Sequence, residues 1–169
     1  MLPVILLLRL LGGAPEDWMT VVASPEGVLG ADASTLTMEG ERRGIRAVWV
    51  GAGEAPMLTQ MVGRCDTRTV RHLAEDETLA AATSGVGDDA DLQQPTQLEE
   101  ALLASLCDRP YLFDTKLLPA GSGLTVATDR VPGDLAAFVV KAPEMMDRAG
   151  QGVPVQCVSG RWARSPADC

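Results

Sequence analysis

Four cysteines, Cys65, Cys107, Cys157 and Cys169, are the residues of this chain best equipped for chemistry. No two lie close enough for a CxxC, so neither a tight metal pair nor a dithiol redox motif is encoded. An even, well-spread set of thiols becomes disulfides in an oxidising compartment. All four are therefore read as disulfide residues. Four cysteines can pair in three ways, and spacing does not choose among them.

His72 is the chain's single imidazole, close in sequence to Cys65 and Asp66. Structural zinc asks for four Cys or His ligands in close pairs, and a Cys–His nucleophile needs Cys65 as a free thiol. His72 is expected to be a surface or partly buried side chain. Ser122 sits in Ala120-Gly121-Ser122-Gly123, which does not meet G-x-S-x-G and reads as a turn. Gly85-Val86-Gly87 is too short and too acidic in its surroundings to cradle a phosphate. Asp88, Asp89 and Asp91 lack the spacing and closing Glu of a calcium loop and read as a solvated acidic loop. No catalytic residue, metal ligand or cofactor-binding residue is assigned, and no cofactor is expected.

The compartment comes from the first residues. MLPVILLLRLLGGA at residues 1–14 resembles the apolar core of an export signal, with Gly12, Gly13 and Ala14 as small residues at its end. No Lys or Arg precedes the run, as expected if the true start codon lies upstream. Leu2 to Leu8 is too short to span hydrocarbon, so no integral membrane span is expected. The chain is read as periplasmic, secreted or surface-exposed. Its net charge is -9, from 23 acidic and 14 basic residues, which argues against nucleic acid and anionic lipid as partners. The nearest approach to a basic patch is Arg64, Arg68 and Arg71 with His72, a ridge that the surplus carboxylates can equally neutralise.

Positioning these residues requires a core, and 46% apolar residues with only 4% aromatics imply an aliphatic one. Short β-like segments succeed one another: Trp18 to Ala23, Val28 to Ala31, Ile45 to Val50, Met57 to Cys65 and Thr69 to Ala74. Ser24-Pro25-Glu26-Gly27 and Glu39-Gly40-Glu41 are turns, and Asp32 to Leu36 reads as a bend or a single helical turn. Antiparallel pairing is the economical arrangement of such a meander. Residues 83–95 read as a loop ending at Thr96, an N-cap with Glu99 placed to complete a capping box. Leu98, Leu102 and Leu106 then lie on one helical face, and Cys107 falls on the last turn. Beyond it, Tyr111 to Phe113 and Leu124 to Ala127 read as short strands, and Leu135 to Val140 as strand or helix. Pro143 to Arg148 reads as a short helix with Pro in its first turn, and Val153 to Trp162 as a closing hairpin.

Several of these pieces occur in a telling order. Trp18 is followed by Asp32-Ala33-Ser34-Thr35-Leu36, Gly40, Trp49 within "VWV", Cys65-Asp66-Thr67, Arg71, and Pro95-Thr96…Glu100-Ala101-Leu102-Leu103…Leu106-Cys107. This stretch resembles the surface-adhesin protein E-like family of bacterial envelope proteins. The resemblance implies an α+β fold, a small antiparallel sheet with a C-terminal helix packed across it. It also implies one disulfide tying helix to sheet, which here joins Cys65 to Cys107. Members are exported binding proteins, some of them adhesins for host matrix proteins, so the expected partner is an extracellular or envelope protein. No catalytic residue is carried over.

The expected organisation is a signal-like segment (1–14), a sheet-and-helix domain (15–107) and an extra C-terminal module (108–169). In that module Cys157 and Cys169 would close a short loop, stabilising it by about 3 kcal/mol in the chain-entropy model. The expected function is non-enzymatic binding at the cell envelope. The competing expectation is a periplasmic enzyme or enzyme inhibitor with its active element in 108–169. Oligomeric state is not encoded in any pattern found.

Overall fold

The structure is a computed structural model describing residues 15–85, 91–122 and 130–151, together with the backbone of 155–156 and 162–163. The signal-like segment, Leu124 to Ala127, Cys157 and Cys169 lie outside the described residues.

The fold is α+β. Strands β1 (Trp18–Ser24), β2 (Gly27–Glu39), β3 (Arg42–Gly51), β4 (Met57–Arg64) and β5 (Thr69–His72) form an antiparallel meander. A two-residue strand, β6 (Arg130–Val131), adds to the outer side of β1, giving the order β5-β4-β3-β2-β1-β6. A separate ladder pairs β7 (Val155–Gln156) with β8 (Trp162–Ala163), the hairpin anticipated near the end of the chain. Among the described residues the α-helices are α1 (Leu79–Thr83), α2 (Gln97–Asp108) and α3 (Leu135–Gly150).

The central strands alternate apolar residues to both faces, so the sheet needs cover on both sides. One face carries Met19, Leu29, Ala31, Ile45, Ala47, Met61 and Val70, packed against Leu102, Leu103 and Leu106 of α2. The opposite face carries Trp18, Val28, Val48 and Val50, packed against Phe138, Ala142 and Met146 of α3. Toward β4, Val62 meets Leu79 and Ala82 of α1. Two strand glycines act as sockets. A Cβ on Gly63 would lie 2.3 Å from Leu103 Cδ1, and a Cβ on Gly30 would lie 2.3 Å from Phe138 Cζ. Each lets a helix side chain approach backbone that any larger residue would block.

Some sequence expectations are corrected. Asp32 to Leu36 is neither a lone bend nor a helical turn. Strand β2 runs through it, and the ladder to β3 shifts register between Asp32 and Thr37. The turn chemistry there is real: Asp32 Oδ1 accepts from Ser34 N and Oγ, and Thr35 Oγ1 donates to the Asp32 carbonyl. It produces a bulge instead of ending the strand. Tyr111 to Phe113 is not a strand; Pro110–Leu112 forms a 3-10 turn that delivers Phe113 into the core beneath α2. Leu135 to Val140 and Pro143 to Arg148 belong to one helix, with Pro143 in its interior. Pro removes one helical hydrogen bond there, but Phe138, Ala142 and Met146, spaced i, i+4, i+8, bury a stripe that carries the helix through. Helix α1, capped by Thr78, lies just before the stretch read as loop and was too short to show periodicity.

Residues 130–150 therefore share a sheet and a core with residues 17–72. Phe138→Ala should cost about 3–5 kcal/mol of unfolding free energy, in one cooperative urea transition. Gly30→Ala should cost about 1–3 kcal/mol by overpacking. The double variant should cost less than the sum, because the ring that clashes has gone. Equality of the double cost with the sum would refute the socket.

Candidate functional site

Helix α2 is fastened at both ends. Cys65, first residue of the β4–β5 turn, is bonded to Cys107 on its last turn, with S–S 2.07 Å and Cα–Cα 5.5 Å. The pair encloses 42 residues of sequence separation, and closing such a loop stabilises by about 4 kcal/mol in the chain-entropy model. Beside it, Arg68 donates to both carboxylate oxygens of Asp108, at 2.7 and 2.9 Å. Arg68 holds a left-handed φ of 53°, and the bonds from its Nη2 to Asp108 tie the turn that contains it to the end of α2.

At the other end the anticipated capping box is present: Glu99 N donates to Thr96 Oγ1, and Thr96 N donates to Glu99 Oε2 at 2.6 Å. His72 joins it. Its Nε2 donates to Glu99 Oε1 at 2.5 Å, and its Nδ1 lies 2.8 Å from Thr59 Oγ1. In the neutral ring, Nδ1 then accepts from the threonine hydroxyl. Hydroxyl, imidazole and carboxylate thus follow in the order of a nucleophile relay. Burial alone would push the Glu99 carboxyl up; hydrogen bonds from Thr96 and His72 outweigh it and hold the carboxyl below its ordinary range. The same carboxylate closes the capping box and so holds the helix end. His72 is half-exposed, as its sequence context suggested, and it ties β5 to α2.

The basic ridge is neutralised. Arg64 pairs with Asp66 at 2.6 Å, Arg68 with Asp108, and Arg71 with Glu77 at 2.8 Å. Trp18 is fully buried, whereas Trp49 lies partly buried across Gly27 and Gly51. Among the described residues no group of three or more His, Cys, Asp or Glu is placed to hold a metal ion.

Sequence reasoning missed a charged cluster on the α3 face. Arg46 NH2 bridges Asp32 Oδ2 at 2.5 Å and Glu16 Oε1 at 2.8 Å, with its guanidinium 5.3 Å from the Trp18 ring centroid. Asp32 is fully buried and also accepts from Asp17 N and Ser34. Glu16 Oε2 accepts from Trp18 Nε1 and from Leu135 N at the start of α3. Burial alone would raise the Asp32 carboxyl, but the donors from Ser34, Asp17 and Arg46 bring it below its usual range. For Glu16 the Trp18 indole contributes most to the lowering, followed, after an opposing effect of burial, by Arg46 and Leu135 N. The signal available in sequence was two-residue spacing: Asp32 shares a strand face with Val28, and Arg46 stands opposite it in β3.

This cluster ends at an open, apolar groove. Glu16 forms one border, and Pro56, Asp134, Leu135, Ala136, Val139 and Val140 form the rest. Val140 is 79% exposed. Leu58, 50% exposed, stands opposite Val48 on the same sheet face. An aliphatic surface of this kind suits contact with another apolar surface better than bond-making chemistry.

Both lowered carboxyls give the same sign of pH dependence. Their stabilisation is present above their ordinary values near pH 4 and is lost as pH falls through the lower folded values. Urea unfolding free energy should begin to fall below about pH 5 and go on falling as pH passes through the lower folded values. Asp32→Asn should lower stability at pH 7 by about 3 kcal/mol and flatten that acid limb. A limb equally steep in the variant would contradict the assignment.

No family model, curated protein or solved structure matches the chain.

Proposed function

We propose that this chain is an exported, non-enzymatic binding protein of the cell envelope, adhesin-like, of the surface-adhesin protein E-like kind. The supporting observation is the exposed aliphatic groove of Pro56, Leu135, Ala136, Val139 and Val140 on a disulfide-stapled scaffold. An apolar groove bordered by carboxylates suits an extracellular or envelope protein segment that presents aliphatic side chains beside a cation. The disulfide supports an oxidising compartment. Among the described residues no helix is long and apolar enough to cross a membrane.

The groove is built largely by α3, within residues 108–169, so it equally supports an enzyme inhibitor that offers the flank of this helix. The two readings part on the partner captured.

Expressed with its leader in a bacterium, the protein should be recovered from the periplasm with a shortened N-terminus. The mature chain should bind an immobilised envelope or matrix protein, and Val140→Asp should weaken that binding about tenfold or more without changing the unfolding curve. A cytosolic chain retaining Met1 would defeat the export reading. Binding indifferent to Val140→Asp would remove the groove from it, and saturable inhibition of an envelope enzyme would favour the inhibitor.

A further inference from the structure

Among the described residues, one constellation brings three elements together on the sheet face opposite α3, the face that carries Met61 and α2. Thr59 of β4, His72 at the end of β5 and Glu99 in the first turn of α2 form an unbroken chain. The hydroxyl lies 2.8 Å from Nδ1, and Nε2 lies 2.5 Å from Oε1. We propose that Thr59 is an acyl-accepting hydroxyl, which takes the acyl group of an activated, apolar ester with His72 as its general base. The site lies apart from the α3 groove, and the inference goes beyond the binding reading.

Three observations carry it. First, the Thr59–His72 bond is not needed to hold the sheet. Strands β4 and β5 are already paired from Arg64–Thr69 to Met61–His72, and the His72–Glu99 bond ties β5 to α2. Second, the parts are held in working order. Both oxygens of Glu99 are fixed, Oε1 by His72 and Oε2 by Thr96 N, so the carboxylate sets the tautomer in which Nδ1 accepts the Thr59 proton. Nucleophile, base and orienting group then stand at hydrogen-bond distance, as activation of a hydroxyl requires. Third, the site is open and has an apolar shelf. The His72 side chain is 42% exposed. Two-residue alternation puts Met57, 62% exposed, on the same face of β4 as Thr59, and Met57 stands opposite Trp49 of β3. An aliphatic acyl chain can rest there.

In the step, Thr59 Oγ1 bonds to the acyl carbon, and its proton passes to His72 Nδ1. The bond from that carbon to the leaving oxygen then breaks, and the leaving oxygen takes the proton from Nδ1. The products are an ester on Thr59 and a free alcohol, with no change of oxidation state. Proton transfer is the help this relay supplies, so the donor must bring a good leaving group, as an aryl ester does.

The test treats the full, disulfide-bonded chain with p-nitrophenyl hexanoate, followed by intact mass and tryptic mapping. Residues 47–64 form one tryptic peptide, in which Thr59 is the single hydroxyl and no lysine occurs. One hexanoyl group should appear on that peptide. Its rate of appearance should fall about a hundredfold in His72→Gln and about tenfold in Glu99→Gln, and it should be absent in Thr59→Val. Glu99→Gln keeps a side chain able to cap α2, and urea unfolding curves check that each variant is folded. Thr59→Ser should be at least as fast as wild type, because the hydroxyl stays and the crowding methyl goes. Acyl groups confined to lysines and the N-terminal amine would overturn the proposal. Equal rates in His72→Gln or Glu99→Gln would overturn it as well. Partner binding at the groove is read separately through Val140→Asp, so either reading can fail without the other.

Discussion

The tie between the β4–β5 turn and the end of α2 is the constraint on which the rest of this structure depends. Cys65–Cys107 and Arg68–Asp108 are neighbouring cross-links at one end of the helix, one covalent and one ionic. His72–Glu99 and the capping box hold the other end. The exposed ion pair contributes little alone, on the order of 0–1 kcal/mol, against about 4 kcal/mol for the disulfide. Covalent closure thus contributes most of the stabilisation, and the polar contacts set orientation. With both ends fixed, Leu102, Leu103 and Leu106 have one face to bury, and Gly63 leaves room for it.

The second face is solved by different means. No disulfide reaches α3 among the described residues. It is held by Phe138 over Gly30, by Leu135 N on Glu16, and by a 3.2 Å contact of Thr20 Oγ1 with Met145 Sδ. Glu16 is in turn held by Arg46 and the buried Asp32. A buried carboxylate is costly to desolvate, and here four donors compensate it: Asp17 N, Ser34 N, Ser34 Oγ and Arg46 NH2. The cluster therefore serves as the hub that fixes where β1, the β2 bulge and the start of α3 meet. That fixed junction positions the groove.

Much of the first face was legible in the sequence. Strand-like composition between turn signals located β1, β3, β4 and β5, and Thr96 with Glu99 announced the start of α2. The helix-to-sheet disulfide followed from the family resemblance, whereas the cysteine spacing left every pairing open. The second face was less legible for physical reasons. Asp32 and Ser34 carry the signature of a turn, and only pairing with β3 reveals a bulge in a continuing strand. Pro143 signals a helix start locally, and only burial of Phe138, Ala142 and Met146 shows why the helix runs through it. The groove was invisible because Pro56 and Val140 are far apart in the chain and carry no signal singly. Tertiary contact, which no local pattern encodes, made the site.

The most direct test of this account is disulfide mapping of protein recovered under non-reducing conditions, with free thiols alkylated before proteolysis and peptides identified by mass spectrometry. The account predicts one linked species joining the peptide containing Cys65 to that containing Cys107, with neither residue alkylated. Alkylated Cys65 or Cys107, or either one linked to Cys157 or Cys169, would contradict it.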